Sequence, residues 1–222
     1  LSADPPLLDP HMSAGTAART VKLQAYNSLL MYGEDNEILP SLATEYEVSD
    51  DGVEYDFSLR EGVRFHDDSE FTVEDVITSF ERIQDESVGA QRGPEIRTIT
   101  EMTSDDDYHL TLLLEEPNVA LLQYLAQPET SILSSEFLNG GGDPNQDMVG
   151  TGPFVFQEYE PGVRIVFERF EDYWREGYPY LDSIIFIPYP DENTRVAALQ
   201  GGDAEMADYI PWRDFQSIED DP

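Results

Sequence analysis

The feature that most constrains this chain is its excess of acidic residues. Asp and Glu number 47 against 12 Lys and Arg, a net charge of −35 at pH 7, and Lys22 is the single lysine. Repulsion among acids spread along the chain opposes compaction in dilute buffer. At about 1 M salt the Debye length is roughly 3 Å, and most of this repulsion is screened. The composition predicts adaptation to high salt, with an acidic partner-binding face as the alternative, and it disfavours nucleic acid and anionic lipid as partners.

A folded core is expected despite this charge, because Leu, Ile, Val and Phe make up 56 of 222 residues. Residues 53–59 alternate apolar and polar side chains, as a half-buried strand does, and Asp51-Gly52 before them is a typical hairpin turn. Apolar spacing predicts a helix over 17–32 that ends at Gly33, and Thr72 is placed to cap another. Further strands are expected at 110–114, 154–159, 164–170 and 183–189, and further helices at 119–125 and 193–200. Mixed strands and helices predict an α/β or α+β class.

Several kinds of chemistry are disfavoured by the residues themselves. The chain has no cysteine, so disulfides, thiol catalysis and Cys-ligated metal sites are excluded. His11, His66 and His109 lie far apart in sequence, without the spacing of metal ligands. No apolar run is long enough to span a bilayer, and the first residues lack the pattern of a signal peptide. We therefore predict no catalytic residue, no metal, no cofactor and no membrane span.

Seven blocks in order resemble one family, the extracytoplasmic solute-binding proteins of peptide and nickel ABC importers (solute-binding protein family 5). They are LDPH at 8–11, ILPSLATEYEVSDDG at 38–52, YDFSLREGVRFHD at 55–67, FTVEDV at 71–76, GTGPF at 150–154, ERFEDYW at 168–174 and RVAALQGGD at 195–203. Two positions depart from the family pattern, since Asp68 stands where glycine is usual and Tyr46 where tryptophan is usual. The resemblance covers nearly the whole chain.

The resemblance implies the fold and its organisation. Family members have two lobes joined by a hinge and are about twice as long, so this chain would hold most of the first lobe, with the second lobe missing. We expect an α/β, class II periplasmic-binding-protein-like lobe, with a mixed sheet and an inserted smaller α/β subdomain. Residues 1–26 and 131–222 would form the main part beside the cleft, and residues 27–130 the inserted part.

The resemblance also implies the function. The full protein would be a non-enzymatic receptor that captures a peptide or similar small solute by hinge closure and delivers it to ABC permease transmembrane subunits. It would act outside the cytoplasm, lipid-anchored at the cell surface. Peptide, nickel complex and sugar are not separated, because specificity in the family depends largely on the opposing lobe.

Two short segments match the family's ligand-contact stretches. The first holds the small residues Ser13, Ala14, Gly15 and Thr16, where a ligand backbone could approach closely. The second holds Tyr209 and Ile210, at the cleft edge near the hinge. A plain loop before a helix, and ordinary packing of Tyr209, are the alternatives.

Two other functions compete with the receptor. With 47 acids, neighbouring carboxylates such as Glu115-Glu116 arise by chance, yet a secreted acidic hydrolase using a carboxylate pair would look no different. The other is a purely acidic interaction domain, against which the ordered blocks of core-type residues argue.

Overall fold

The computed structural model describes residues 1–219, which form three antiparallel sheets and seven α-helices. Strands β1 (Leu30–Tyr32) and β2 (Ile38–Pro40) make a two-stranded sheet. The second sheet has the order β3-β4-β6-β5, and the third the order β7-β8-β9. Their strands are β3 (Ala43–Val48), β4 (Glu54–Leu59), β5 (Ile99–Thr103), β6 (His109–Leu114), β7 (Phe154–Glu160), β8 (Arg164–Arg169) and β9 (Ser183–Phe186). The helices are α1 (Thr16–Ala25), α2 (Val73–Gln84), α3 (Gly93–Ile96), α4 (Leu121–Tyr124), α5 (Ser135–Asn139), α6 (Glu192–Gly201) and α7 (Phe215–Glu219).

Leu1 pairs in the parallel direction with the segment that follows β9 in the third sheet. The amino group of Leu1 donates to the carbonyl of Ile187, and the amide of Tyr189 donates to the carbonyl of Leu1, both at 2.8 Å. Bonds to residues two apart are the pattern of a parallel pair. The continuation of β9 thus has a parallel neighbour beside an otherwise antiparallel sheet, as expected for a mixed sheet.

Turn and capping residues account for the elements that the sequence predicts correctly. β3 and β4 form an antiparallel hairpin around the predicted turn, where Gly52 has a φ of +72°. Helix α2 begins with a capping box, in which the Asp75 carboxylate accepts from the backbone amide of Thr72 at 2.8 Å. Asp68 has a φ of +69°, a left-handed conformation that glycine adopts most easily and that aspartate tolerates. This accounts for the glycine that the family usually has there.

The prediction for residues 17–32 is wrong in its second half. Helix α1 ends at Ala25, and Tyr26 is already extended with a φ of −125°. Residues 30–32 form β1 instead, because the amide of Leu30 finds the carbonyl of Leu125 and the strand pairs with residues 38–40. Partners about ten and ninety-five residues away outweigh the helical spacing.

The buried apolar residues form two clusters. The first lies between the β3-β4-β6-β5 sheet and α2 and draws on residues 29–126, together with Ile132 and Val149. The second is built around Tyr26, directly after α1, and Phe154 and Phe167 on β7 and β8. Apart from Ile132 and Val149, the two clusters coincide with the predicted parts, residues 27–130 for the first cluster and residues 1–26 with 131–222 for the second. The division into subdomains itself stays a prediction.

Gly150 and Gly152 let the segment before β7 lie directly against the end of α1. A Cβ atom on Gly150 would lie 2.1 Å from the carbonyl oxygen of Ala25, and one on Gly152 would lie 2.4 Å from the carbonyl carbon of the same residue. The amide of Gly152 donates to that carbonyl oxygen at 2.9 Å. The glycine-rich GTGPF block is therefore a close approach of two backbones at the entry to β7.

Candidate functional site

A shallow groove of about 320 Å³ lies where the start of α1 meets the first residues of the chain. Its walls are Ser2, Ala3, Asp4, Pro6, residues 14–18 and Tyr209. Tyr209 comes from the far end of the chain, on the segment that follows α6. The groove therefore joins the two segments that the sequence singles out, 193 residues apart.

A hydrogen bond closes one side of this groove. The hydroxyls of Thr16 and Tyr209 lie 2.7 Å apart. Tyr209 is 61% exposed and has a φ of +48°, so its ring projects from a tight backbone turn into solvent. Gly15, at the N-cap of α1, has a φ of +96° and open space where a Cβ would point. A ligand backbone can thus approach the start of α1 without meeting a side chain.

Four of the six predicted contact residues line the groove, namely Ala14, Gly15, Thr16 and Tyr209. Ser13 is only 1% exposed and lies beneath the surface, and Ile210 is half-buried outside the groove. The contact role of all six residues stays a prediction. Ser13 lies beneath the surface because its loop is held by hydrogen bonds that point into the protein.

Arg195 on α6 fixes the Tyr209 segment, and sequence reasoning missed it. Arg195 is buried, and its guanidinium donates to four backbone carbonyls, those of Tyr189 at 2.5 Å, Asp208 at 2.9 Å, Tyr209 at 3.0 Å and Pro190 at 3.4 Å. A guanidinium presents several donors in one plane, which suits carbonyls converging from two segments. Arg195 thereby ties the continuation of β9 to the turn that carries Tyr209.

Lys22 fixes the other wall. Its ammonium group is 1% exposed and donates to the carbonyls of Pro10 at 3.0 Å and Ser13 at 2.6 Å, and it pairs with Glu129 at 3.3 Å. Burial lowers the pKa of Lys22, while Glu129 opposes that shift. Burial alone would raise the pKa of Glu129, but Lys22 and Arg19 outweigh it, and the net shift is downward. The single lysine is therefore an internal anchor of the loop that ends at Gly15.

A second polar cluster supports the same loop from below. Arg82 donates to the Asp9 carboxylate at 2.5 Å and to Nδ1 of His11 at 2.8 Å, and Nε2 of His11 lies 2.8 Å from the carbonyl oxygen of Ser131. Because the guanidinium of Arg82 can only donate, Nδ1 of His11 accepts from it. The N–H of His11 is therefore on Nε2, and it donates a hydrogen bond to the carbonyl oxygen of Ser131. Burial lowers the pKa of His11 to about 4, so the ring is neutral at pH 7.

The groove offers hydroxyls, backbone, small apolar side chains and the carboxylate of Asp4. Within residues 1–219, no group of three or more His, Asp or Glu side chains is arranged to hold a metal ion. The same part of the chain contains no helix with the length and apolar character needed to cross a bilayer. The arrangement is suited to holding one face of an extended ligand.

Comparison with solved structures shows the same fold. AgaA of A. tumefaciens R10, in complex with agropinic acid, is 39% identical and superposes with a TM-score of 0.92 over 100% of this chain and 45% of its own. DppA of Helicobacter pylori, in complex with the peptide STSA, is 27% identical with a TM-score of 0.89, over 98% of this chain and 47% of its own. The predicted periplasmic-binding-protein-like α/β lobe is confirmed.

Sequence comparison agrees. The glutathione-binding protein GsiB of Salmonella paratyphi A is 32% identical over 206 residues, covering 92% of this chain and 40% of the relative. The protein of the same name from Pectobacterium atrosepticum is 32% identical over 213 residues, covering 96% and 41%. The chain thus spans about 40% of the length of these curated relatives. Residues 37–222 match the family described as bacterial extracellular solute-binding proteins, family 5 Middle, and the protein belongs to that family.

Proposed function

We propose that this chain forms the first lobe of an ABC-importer receptor, which captures a peptide or similar small solute by hinge closure and releases it to a membrane permease. The observation that carries the proposal is the groove in which Thr16 meets Tyr209. Similarity to proteins named as glutathione-binding, and to one solved with a bound peptide, supports a peptide or peptide-like solute.

In this proposal the groove supplies one face of the binding site. A ligand backbone lies along Ala14, Gly15 and Thr16, while Tyr209 stacks on the ligand or hydrogen-bonds to it. Ser13 holds the loop through its carbonyl, and Ile210 packs beside the turn. A groove this open buries only part of a ligand, so tight binding needs a second surface opposite.

The setting of the protein is part of the same proposal. The receptor acts outside the cytoplasm, held at the cell surface by a lipid anchor, and its partners are the transmembrane subunits of a permease. The net charge of −35 supports a high-salt environment, where a surface with this many carboxylates remains soluble.

Calorimetry on the complete gene product tests the proposal, with glutathione, Met-Leu and a tetrapeptide as probes at about 2 M KCl. We expect binding of at least one probe. Tyr209→Ala should weaken it at least about tenfold through the loss of stacking and a hydrogen bond. Tyr32→Ala is the matched control, because Tyr32 is also exposed and hydrogen-bonded through its hydroxyl, to the carbonyl of Gln123 at 3.0 Å.

Mass spectrometry of the recovered probe completes the test. A receptor returns the probe unchanged. Cleaved probe would contradict the proposal and favour the acidic hydrolase, and equal affinities of Tyr209→Ala and Tyr32→Ala would remove the groove from the site. Failure of all three probes to bind would overturn the peptide class.

A further inference from the structure

Three arginines stand apart from the other basic side chains. Within residues 1–219, nine of the twelve Lys and Arg side chains have a carboxylate at ion-pair distance. The exceptions are Arg60, Arg64 and Arg175. In a chain with 47 acids, a guanidinium without a carboxylate is unexpected, since almost any surface position has an acid within reach. Two of these three arginines share one place in the fold.

Arg60 and Arg175 both lie against the indole of Trp174. The guanidinium carbon of Arg60 is 4.5 Å from the ring centroid and that of Arg175 is 5.9 Å from it. Arg175 is also 5.2 Å from the ring centroid of Tyr178. A guanidinium group stacks with its flat face on an aromatic ring, so the N–H groups at its edge can bind other partners.

The cluster is held from the protein side and open on the other. The indole N–H of Trp174 donates to Asn27 Oδ1 at 3.0 Å, and Arg60 Nε donates to the carbonyl of Ser41 at 3.2 Å. Arg60 and Trp174 are half-buried, whereas Arg175 is exposed. Burial lowers the pKa of Arg60, and the positive charge of Arg175 lowers it further. Two neighbouring cations that repel each other are stabilised by an anion that both can contact.

We propose that Arg60, Arg175 and Trp174 form a binding site for an oxyanion, either a carboxylate or a phosphate or sulfate group. Guanidinium groups recognise such anions through paired, charge-assisted hydrogen bonds. The site is separate from the groove. None of Arg60, Trp174 and Arg175 lines that groove.

The site also joins the two predicted parts of the chain. Arg60 comes from the end of β4, in the part 27–130, and Trp174 and Arg175 come from the loop between β8 and β9. An anion held by both arginines therefore crosslinks the two parts and binds the folded protein in preference to the unfolded chain. A ligand of this kind raises thermal stability, and above its dissociation constant the stabilisation grows with the logarithm of ligand concentration.

Equilibrium dialysis of the complete gene product with radiolabelled sulfate tests the proposal, at constant ionic strength set with KCl. The wild type should show a saturable sulfate site that the double variant Arg60→Gln/Arg175→Gln lacks or binds at least about tenfold more weakly. Arg64→Gln is the matched control, because Arg64 also has no ion-pair partner among the described residues and donates only to the carbonyl of Asp68, at 2.8 Å. The single variant Arg175→Gln removes an exposed side chain and keeps the test valid if the double variant does not fold.

Competition and thermal unfolding identify the ligand class. Displacement of sulfate by acetate assigns a carboxylate ligand, and displacement by phosphate alone assigns a phosphate or sulfate group. The melting temperature should rise with sulfate beyond the rise seen with KCl at equal ionic strength, and this excess should vanish in the arginine variants. The proposal is overturned if the wild type has no saturable site, or if Arg175→Gln and the double variant bind sulfate as Arg64→Gln does.

Discussion

Single side chains set the shape of the candidate groove from inside the protein. Lys22 holds the carbonyls of Pro10 and Ser13, and Arg195 holds those of Asp208 and Tyr209, so each wall depends on one buried cation. Buried charges without partners are strongly destabilising, and here the carbonyl oxygens and Glu129 or Asp208 provide partners. A chain that has few basic residues therefore uses two of them to position backbone.

His11 predicts a pH dependence at the residue scale. Its pKa is about 4 in the folded protein, against the ordinary 6.5 expected when unfolded, because burial disfavours the charged ring beside Arg82 and Lys22. The unfolded chain therefore binds more protons between these values. The resulting stability is complete above pH 6.5 and is lost as the pH falls toward 4, by about 3 kcal/mol.

Urea unfolding at fixed salt, at steps from pH 7.5 to 4, measures this loss. Carboxylates also titrate in this range, so the comparison is with His11→Gln, which keeps a side-chain donor near Ser131 but does not titrate. The wild-type free energy of unfolding should fall more steeply than that of the variant below pH 6.5. Parallel curves would mean that His11 does not contribute.

Residues of this kind are the ones that sequence reasoning could not find. The segments holding Thr16 and Tyr209 were identified by resemblance, because their neighbours carry recognisable motifs. Arg195 stands within such a motif, yet nothing in its surroundings in the sequence shows that its guanidinium reaches carbonyls 5, 6, 13 and 14 residues away. Lys22 stands out in the sequence as the single lysine, but its neighbours do not indicate that it is buried. Roles that depend on tertiary contacts have no local signal.

At the element scale, local signals predicted what local chemistry decides. The β3-β4 hairpin and the α2 cap follow from turn and capping residues, and both are present. The strands expected at 154–159 and 164–170 are present as the antiparallel pair β7 and β8. The sequence does not predict strands β1, β2 and β5. Strands β1 and β2 have three residues each, too few to show a period of two, and a register shift interrupts the alternation of β5. The early end of α1 depends instead on the bonds that Leu30 makes to Leu125 and to β2. It also positions the groove, because α1 is fixed at its far end by the glycines before β7.

That contact predicts the effect of enlarging Gly150. An alanine there would place its Cβ against the backbone of Ala25 and the ring of Tyr26, at 2.1 Å and 2.5 Å, so α1 or the strand entry must move. We expect Gly150→Ala to lower the free energy of unfolding by about 1–3 kcal/mol, in the range of overpacked cores.

Gly201→Ala is the matched control for that substitution. Gly201 ends α6, and its Cβ would meet only one carboxylate oxygen, 3.8 Å away. The substitution should leave stability unchanged or raise it by up to about 1 kcal/mol. Urea unfolding in about 2 M KCl compares the two variants, and equal stabilities would show that the close approach at Gly150 is relaxed without cost.

At the scale of the whole molecule, the charge predicts that folding depends on salt. Folding brings together acids that are apart in sequence, as with the exposed Glu47 and Asp56 at opposed positions of β3 and β4, and such carboxylates lie within the Debye length of about 10 Å at 0.1 M salt. At about 1 M that length is roughly 3 Å, and the repulsion between neighbours is largely screened. Because the unfolded chain spreads the same charges further apart, salt stabilises the folded state more.

Circular dichroism and urea unfolding between about 0.1 and 3 M KCl measure this effect. We expect the free energy of unfolding to rise most steeply below about 1 M, where the Debye length changes most, and then to level off. Sucrose at matched water activity is the control, because it favours burial without screening charge. The variant Glu115→Gln/Glu116→Gln removes two exposed neighbouring charges and should reduce the dependence at low salt. If stability is flat across the KCl series, or if sucrose reproduces the rise, the carboxylates do not limit folding and the high-salt interpretation fails.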